Sequence, residues 1–128
     1  MPRVWGDGAS RGARRSGLGA QVSAASDFPV GQFGAMRSVY GMTTRQTVIG
    51  VRGPEHAITY DEALTLHTTG AARLTGEDQV RGTLTAGRLA DLTIWDQDPA
   101  HCPGDALRDL HPAHTVVGGR LVTTTGTW

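Results

Sequence analysis

Lysine is absent from this chain. All 12 basic side chains are arginine, and 12 Asp and Glu side chains balance them to a formal net charge of zero. We read the missing lysine as a bias of coding composition, not as phosphate recognition. A neutral balance argues against nucleic acid or an anionic membrane as the main partner. The one local basic cluster, Arg11, Arg14 and Arg15, suits a solvated helix face better than an anion site. Cysteine is nearly absent: Cys102 stands alone, which excludes an internal disulfide. Its polar surroundings, His101-Cys102-Pro103-Gly104, make no case for a nucleophile. There is no run of about 18 apolar residues and no signal-peptide core, so the expectation is no membrane span and a cytoplasmic location. Aromatics are scarce at 5%, and hydrophobic residues reach only 38%, enough for one modest core.

What the chain has is glycine, 18 of them, and many threonines, which favour turns and strands over a helical bundle. Its 128 residues suffice for one domain. They fall short of a (β/α)8 barrel, which takes roughly 200 or more.

Residues 1–9 show no periodicity, and residues 10–16 suit a short Arg-rich helix. Residues 21–26 read as a short buried strand that Pro29 stops from running on. Over residues 35–46, Met36, Val39, Tyr40 and Met42 fall near helical spacing, so one face packs inward. Residues 47–54 read as irregular. Thr59-Tyr60-Asp61-Glu62 is a capping box that opens a helix through Ala63, Leu64 and His67. Gly70 interrupts it, residues 71–74 offer another turn, and Gly76 stops it. From Gly82 the apolar period becomes two, with Leu84, Leu89, Leu92 and Ile94 at strand positions around an Ala86-Gly87 turn. Asp96 and Asp98 end that strand, and residues 106–110 suit a helical turn. Val116-Val117-Gly118-Gly119-Arg120-Leu121 is a hairpin signature, because Gly-Gly tolerates the positive φ of a type I′ turn. A boundary falls near residues 76–82.

The candidate for chemistry is Asp27, a carboxylate at the end of the first expected strand. Strand ends are where α/β enzymes place reactive groups. Taken alone, an Asp here is more often a turn or capping residue than a ligand. The close histidine pair, His111 and His114, has Pro112 between its members and reads as exposed loop leading into the last hairpin. His67 reads as a packed or half-exposed helix residue. The glycines lack the strand–loop–helix context of a phosphate site.

Three stretches, in order, resemble the C-terminal end of the amidohydrolase superfamily, especially its amidohydrolase-3 group of metal-dependent hydrolases. Ser26-Asp27-Phe28-Pro29-Val30 is similar to the Ser-Asp-x-Pro-Val that follows the family's last barrel strand. Residues 58–64 and 69–74 are similar to its leading helix and Thr-x-x-Ala-Arg region. Residues 82–92 resemble its G-x-L-x-x-G-x-x-A-D-L signature, and residues 115–120 its closing hairpin. The resemblance implies an α/β architecture: the last strand and helices of a (β/α)8 barrel over residues 1–78, then strands of a small composite β-sandwich over residues 79–128.

The resemblance also implies chemistry. In the family, the acid at the position of Asp27 contacts a catalytic divalent metal, expected to be zinc, and accepts a proton from the attacking water. Asp27 is thus the expected catalytic and metal residue. The reaction implied is hydrolysis of a carbon–nitrogen bond other than a peptide bond. The family's His-x-His and its other ligands have no counterpart here, since all five histidines follow Asp27. Metal retention by this chain alone is therefore not expected, because a catalytic zinc takes about three protein ligands. Asp91 is expected to fix a turn through backbone hydrogen bonds, away from the metal. The alternatives are a non-catalytic remnant or interaction module, and one half of a split enzyme. The expected partners are a small-molecule substrate once the site is complete, and an N-terminal barrel chain or a second copy.

Overall fold

A computed structural model describes residues 21–31 and 33–122. The expected helix at residues 10–16 and the Arg11, Arg14, Arg15 cluster lie outside the described residues.

Helix α1 spans Ala35–Thr44 and buries Met36, Val39, Tyr40 and Met42, the face marked by the helical spacing. It stops at Arg45, whose left-handed φ of 59° turns the chain while its amide bonds the Gly41 carbonyl at 3.0 Å. Arg45 is only 4% exposed, and its Nε donates to the carbonyls of Arg52 at 3.2 Å and Gly53 at 3.3 Å. One residue thus ends the helix and anchors the next loop. Between these contacts runs a small hairpin, β1 (Gln46–Thr47) and β2 (Gly50–Val51), where the sequence suggested irregular chain. Gly50, at φ 99°, permits the tight reversal, and Thr47 Oγ1 donates to the Gly50 carbonyl at 2.7 Å.

Helix α2 (Tyr60–His67) starts as the capping box requires. Thr59 Oγ1 accepts from the Glu62 amide at 3.2 Å, and the Glu62 carboxylate accepts from the Thr59 amide at 2.8 Å. Ile58 and Ala63, the two positions of a hydrophobic staple, are both buried in the core. Helix α3 (Thr69–Leu74) follows after a break at Thr68, and Gly76, at φ 73°, closes it.

Residues 21–27 form no strand, contrary to the sequence reading, and Ala24 is the residue of this stretch that packs partly against the core. A strand exists only through pairing, and among the described residues this segment lies against helices. Its Ala24 amide bonds the Leu66 carbonyl at 3.1 Å. Residues 82–91 are likewise not a strand, and Leu84 is exposed. Gly82 at φ 91° and Gly87 at φ 90° bend the chain out of the extended region. Arg88 holds this stretch instead, donating to the carbonyls of Asp78 and, at 3.0 Å, of Arg81. The period-two pattern becomes real only at β3 (Leu92–Trp95).

Strands β3, β4 (Pro112–Val117) and β5 (Arg120–Val122) form an antiparallel sheet in that order. Leu92 faces Val116 and Ile94 faces His114; the register then slips so that Trp95 pairs Pro112. His114 therefore lies within a strand, not in the loop expected for it, while His111 is in exposed loop. Val117 pairs Arg120 around Gly118 at φ 57° and Gly119 at φ 78°, the two positive values of a type I′ turn. Between β3 and β4, short 3-10 turns replace the helical turn expected over residues 106–110.

The chain mixes helix and strand. Its core draws Met36, Val39, Met42 and Ala63 from the helices and Leu107 from the connection before β4, with Trp95 and Leu110 packed partly against it. Tyr40 reinforces this junction by donating its hydroxyl to Asp105 at 2.5 Å. No helix among the described residues is long and apolar enough to cross a membrane.

Candidate functional site

The segment carrying Asp27 is held by backbone, not by a sheet. Besides the Ala24–Leu66 bond, the Val22 carbonyl lies so close to Gly70 that a Cβ there would meet its oxygen at 2.6 Å. Gly70 does not interrupt the helix as its position suggested: the break falls at Thr68, and Gly70 lies inside α3 as a contact point with the Asp27 segment. Asp27 itself has φ 55°, a conformation that Asp tolerates better than most side chains. Its carbonyl accepts from the amides of Val30 at 2.8 Å and Gly31 at 3.0 Å, which closes a tight turn. The Phe28–Pro29 bond in this turn is cis, and Asp27 is exposed at the surface.

Asp27 is the sole candidate ligand that this turn presents. No group of three or more His, Cys, Asp and Glu side chains able to hold a metal is assembled among the described residues. Three of the histidines have side-chain partners: His56 meets Glu55 at 3.2 Å, His67 meets Ser38 Oγ at 3.1 Å, and His101 meets Asp98 at 2.7 Å. One carboxylate does not fit a catalytic divalent ion, which takes about three protein donors. The described residues therefore do not by themselves fit the metal that the resemblance implies.

Asp91 does what was expected of it. Its Oδ1 accepts from the Gly118 amide at 2.8 Å, and the neighbouring Ala90 carbonyl accepts from Gly119 at 3.0 Å. The Ala-Asp pair of the signature thus clasps the β4–β5 turn, and Arg81 approaches the other carboxylate oxygen at 3.7 Å. We expect Asp91→Ala to cost about 1 kcal/mol, the worth of a partly exposed charge-assisted hydrogen bond, and to weaken exchange protection of the Gly118 amide. Unchanged protection at Gly118 would show that the clasp contributes nothing. Asp98, expected to end a strand, caps a 3-10 turn through the Ala100 amide at 2.9 Å. The His101 ring and then that amide hold its carboxyl below the usual range.

The polar environment is otherwise structural. The Asp105 hydrogen bond, aided by burial, raises the pKa of Tyr40. Hydrogen bonds from the Thr59 backbone and side chain lower that of Glu62. Burial lowers that of His67. Because the unfolded chain takes up the His67 proton first, stability must fall as pH drops below about 6.5 and through the lowered native value. A His67→Gln variant, still able to bond Ser38, should lose less stability than the parent over that window. Parallel urea midpoints from pH 7 to pH 5 would refute this. The sequence carried no signal for the buried Arg45 or for the grip of Arg88, since both contact carbonyls through tertiary geometry.

A family model described as "Amidohydrolase family" matches residues 11–123. The N-substituted formamide deformylase of Arthrobacter pascens is 36% identical to this chain over 104 residues. That alignment covers 80% of this chain and 19% of the relative, so the chain spans about a fifth of the length of this curated relative. No solved structure matches.

Proposed function

The chain belongs to the amidohydrolase family, and on that premise we propose that it supplies the C-terminal portion of a hydrolase acting on a non-peptide carbon–nitrogen bond. The observation that carries this reading is the family match over residues 11–123, set beside a relative about four times as long. The substrate class we propose is an N-substituted amide or formamide, after the activity in the relative's name. Water adds to the carbonyl carbon, the carbon–nitrogen bond breaks, and the amine leaves with a proton. Asp27 accepts the proton of the attacking water and returns one to the leaving nitrogen. The segment leading to it is anchored by the Ala24–Leu66 bond and by the approach of Val22 to Gly70, which supports this role, since a general base must be fixed to within a fraction of an ångström.

Family members generally use a divalent metal. We take zinc as the ion of the complete site, with Asp27 as one donor and the others outside the described residues. In this reading residues 1–78 belong to the barrel end and residues 79–128 to the sandwich. The enzyme is cytoplasmic, and its completing partner is an N-terminal barrel segment. A split enzyme or a non-catalytic interaction module is the second reading. Exposed apolar side chains such as Val48, Val30 and Leu84, which ask for a covering surface, favour it.

The test is to purify the chain, measure bound zinc, and assay N-substituted formamides with and without a polypeptide carrying the remaining length of the deformylase. We expect turnover and stoichiometric metal only in the mixture. Metal and Asp27-dependent turnover in the lone chain would overturn incompleteness. A stable complex without turnover would favour the interaction module.

A further inference from the structure

The hairpin after α1 carries apolar side chains where a hairpin ordinarily carries polar ones. Thr47 pairs with Gly50, so Val48 and Ile49 are the two residues of the reversal. Reversals of this length favour Asn, Asp and Gly. Here Val48 is 98% exposed and Ile49 60%, and Val51 beside them is 50% exposed. Among the described residues β1 and β2 form a sheet of their own, with no third strand on either edge. At the root of the hairpin stand two arginines, Arg45 buried and Arg52 exposed. Neither has a carboxylate within ion-pair distance among the described residues. Glu55, across Gly53 from the Arg45 guanidinium, pairs with His56 at 3.2 Å. From Arg45 to Gly53 the chain holds these two arginines and no acid. An apolar tip of this kind gains from cover, and guanidinium groups beside it gain from a carboxylate on whatever covers it.

We propose that this hairpin is the surface by which the chain docks onto the polypeptide that completes the enzyme. Val48, Ile49 and Val51 enter an apolar groove, and a carboxylate at the rim of that groove meets Arg52, with the charge of Arg45 behind it. The proposal rests on the reading of the chain as the C-terminal portion of a longer hydrolase. Charge decides against a second copy as the occupant, since two such hairpins brought together about a two-fold axis would face each other with arginines and no acid. Length favours the completing polypeptide, since the alignment covers only 19% of the relative and most of such an enzyme lies outside this chain.

The test mixes the full chain with the polypeptide carrying the remaining length of the deformylase and reads the dissociation constant by titration. Val48→Ser combined with Ile49→Ser, on the exposed reversal, should leave the thermal midpoint unchanged and weaken the complex roughly tenfold or more. The sign of a charge added at Val48 separates an acidic rim from a merely apolar contact. Val48→Asp should bind roughly tenfold more weakly than Val48→Lys. Amides of residues 46–51 should exchange more slowly in the complex than in the free chain. A double serine variant that binds like the parent, or unchanged exchange at the hairpin, would overturn the docking even where the mixture hydrolyses formamides. Equal losses from Val48→Asp and Val48→Lys would overturn the acidic rim. A lone chain that dimerises, and loses the dimer in the double serine variant, would make a second copy the occupant and overturn the proposal. A parent chain that forms no complex overturns both the docking and the reading it rests on. A hairpin-dependent complex without turnover supports the docking and counts against the catalytic reading.

Discussion

Replacing Asp27 with Asn should lower hydrolysis by the complemented enzyme about 10²- to 10⁴-fold, the usual worth of a positioned general base. Asn is the right probe for two reasons. It keeps the size and shape of the side chain while removing its ability to take a proton. It also tolerates positive φ, and Asp27 sits at φ 55° with its carbonyl closing the turn on Val30 and Gly31. An alanine there would add backbone strain to the loss of the carboxylate and confuse the two effects. Because the residue is exposed, the Asn variant should unfold at the same temperature as the parent. The decisive measurement is kcat for parent and variant at matched metal content, with circular dichroism as the control for folding. A variant within a few-fold of the parent would remove Asp27 from the chemistry, whatever the family resemblance implies.

Gly70→Ala should destabilise the fold by about 1–3 kcal/mol, as overpacking of a close contact does. Helix propensity alone predicts the opposite sign, a gain of about 1 kcal/mol for Ala over Gly inside a helix. The two effects are decided by distance. A Cβ on Gly70 would stand 2.6 Å from the Val22 carbonyl oxygen and 3.1 Å from that of Thr65. Both are backbone atoms, so neither yields as a flexible side chain does. The segment carrying Asp27 must then lift away from α3, and the bond from the Ala24 amide to the Leu66 carbonyl should weaken with it. A thermal midpoint several degrees lower, together with faster exchange at Ala24, is the expected result. A midpoint equal to or above that of the parent would mean that the segment does not press on α3. In the complemented enzyme the same variant should lose activity while retaining Asp27, since the carboxylate moves with its segment.

These two variants show which kinds of information the chain carries locally. Thr59 and Glu62 are three residues apart, and their reciprocal hydrogen bonds need no distant neighbour, so the start of α2 is legible in the order of residues alone. Gly118-Gly119 between β-branched residues is legible for the same reason: a type I′ turn is a property of its own backbone angles. The buried face of α1 follows from helical spacing at Met36, Val39 and Tyr40. Three ordered stretches, the signature around Asp91 among them, carry the family resemblance, and that resemblance assigns Asp91 a structural part.

The rest was decided by contacts between residues far apart in the chain. Residues 21–26 have the composition of a strand, but a strand needs a partner, and what lies beside them is the end of one helix and the start of the next. Leu84 and Leu89 are placed like strand residues, yet positive φ at Gly82 and Gly87 and the carbonyl contacts of Arg88 impose another path. Asp91 reaches Gly118 across 27 positions, Tyr40 reaches Asp105 across 65, and neither pairing has a period to betray it. The sequence by itself determined the caps, the turns and the family, because each rests on residues within a few positions or on an ordered motif. Only the tertiary structure decided that Asp27 stands on an exposed turn and that the segment before it presses on Gly70 at Val22. Those facts depend on which distant backbone and side-chain atoms pack against one another, and local patterns do not encode that packing.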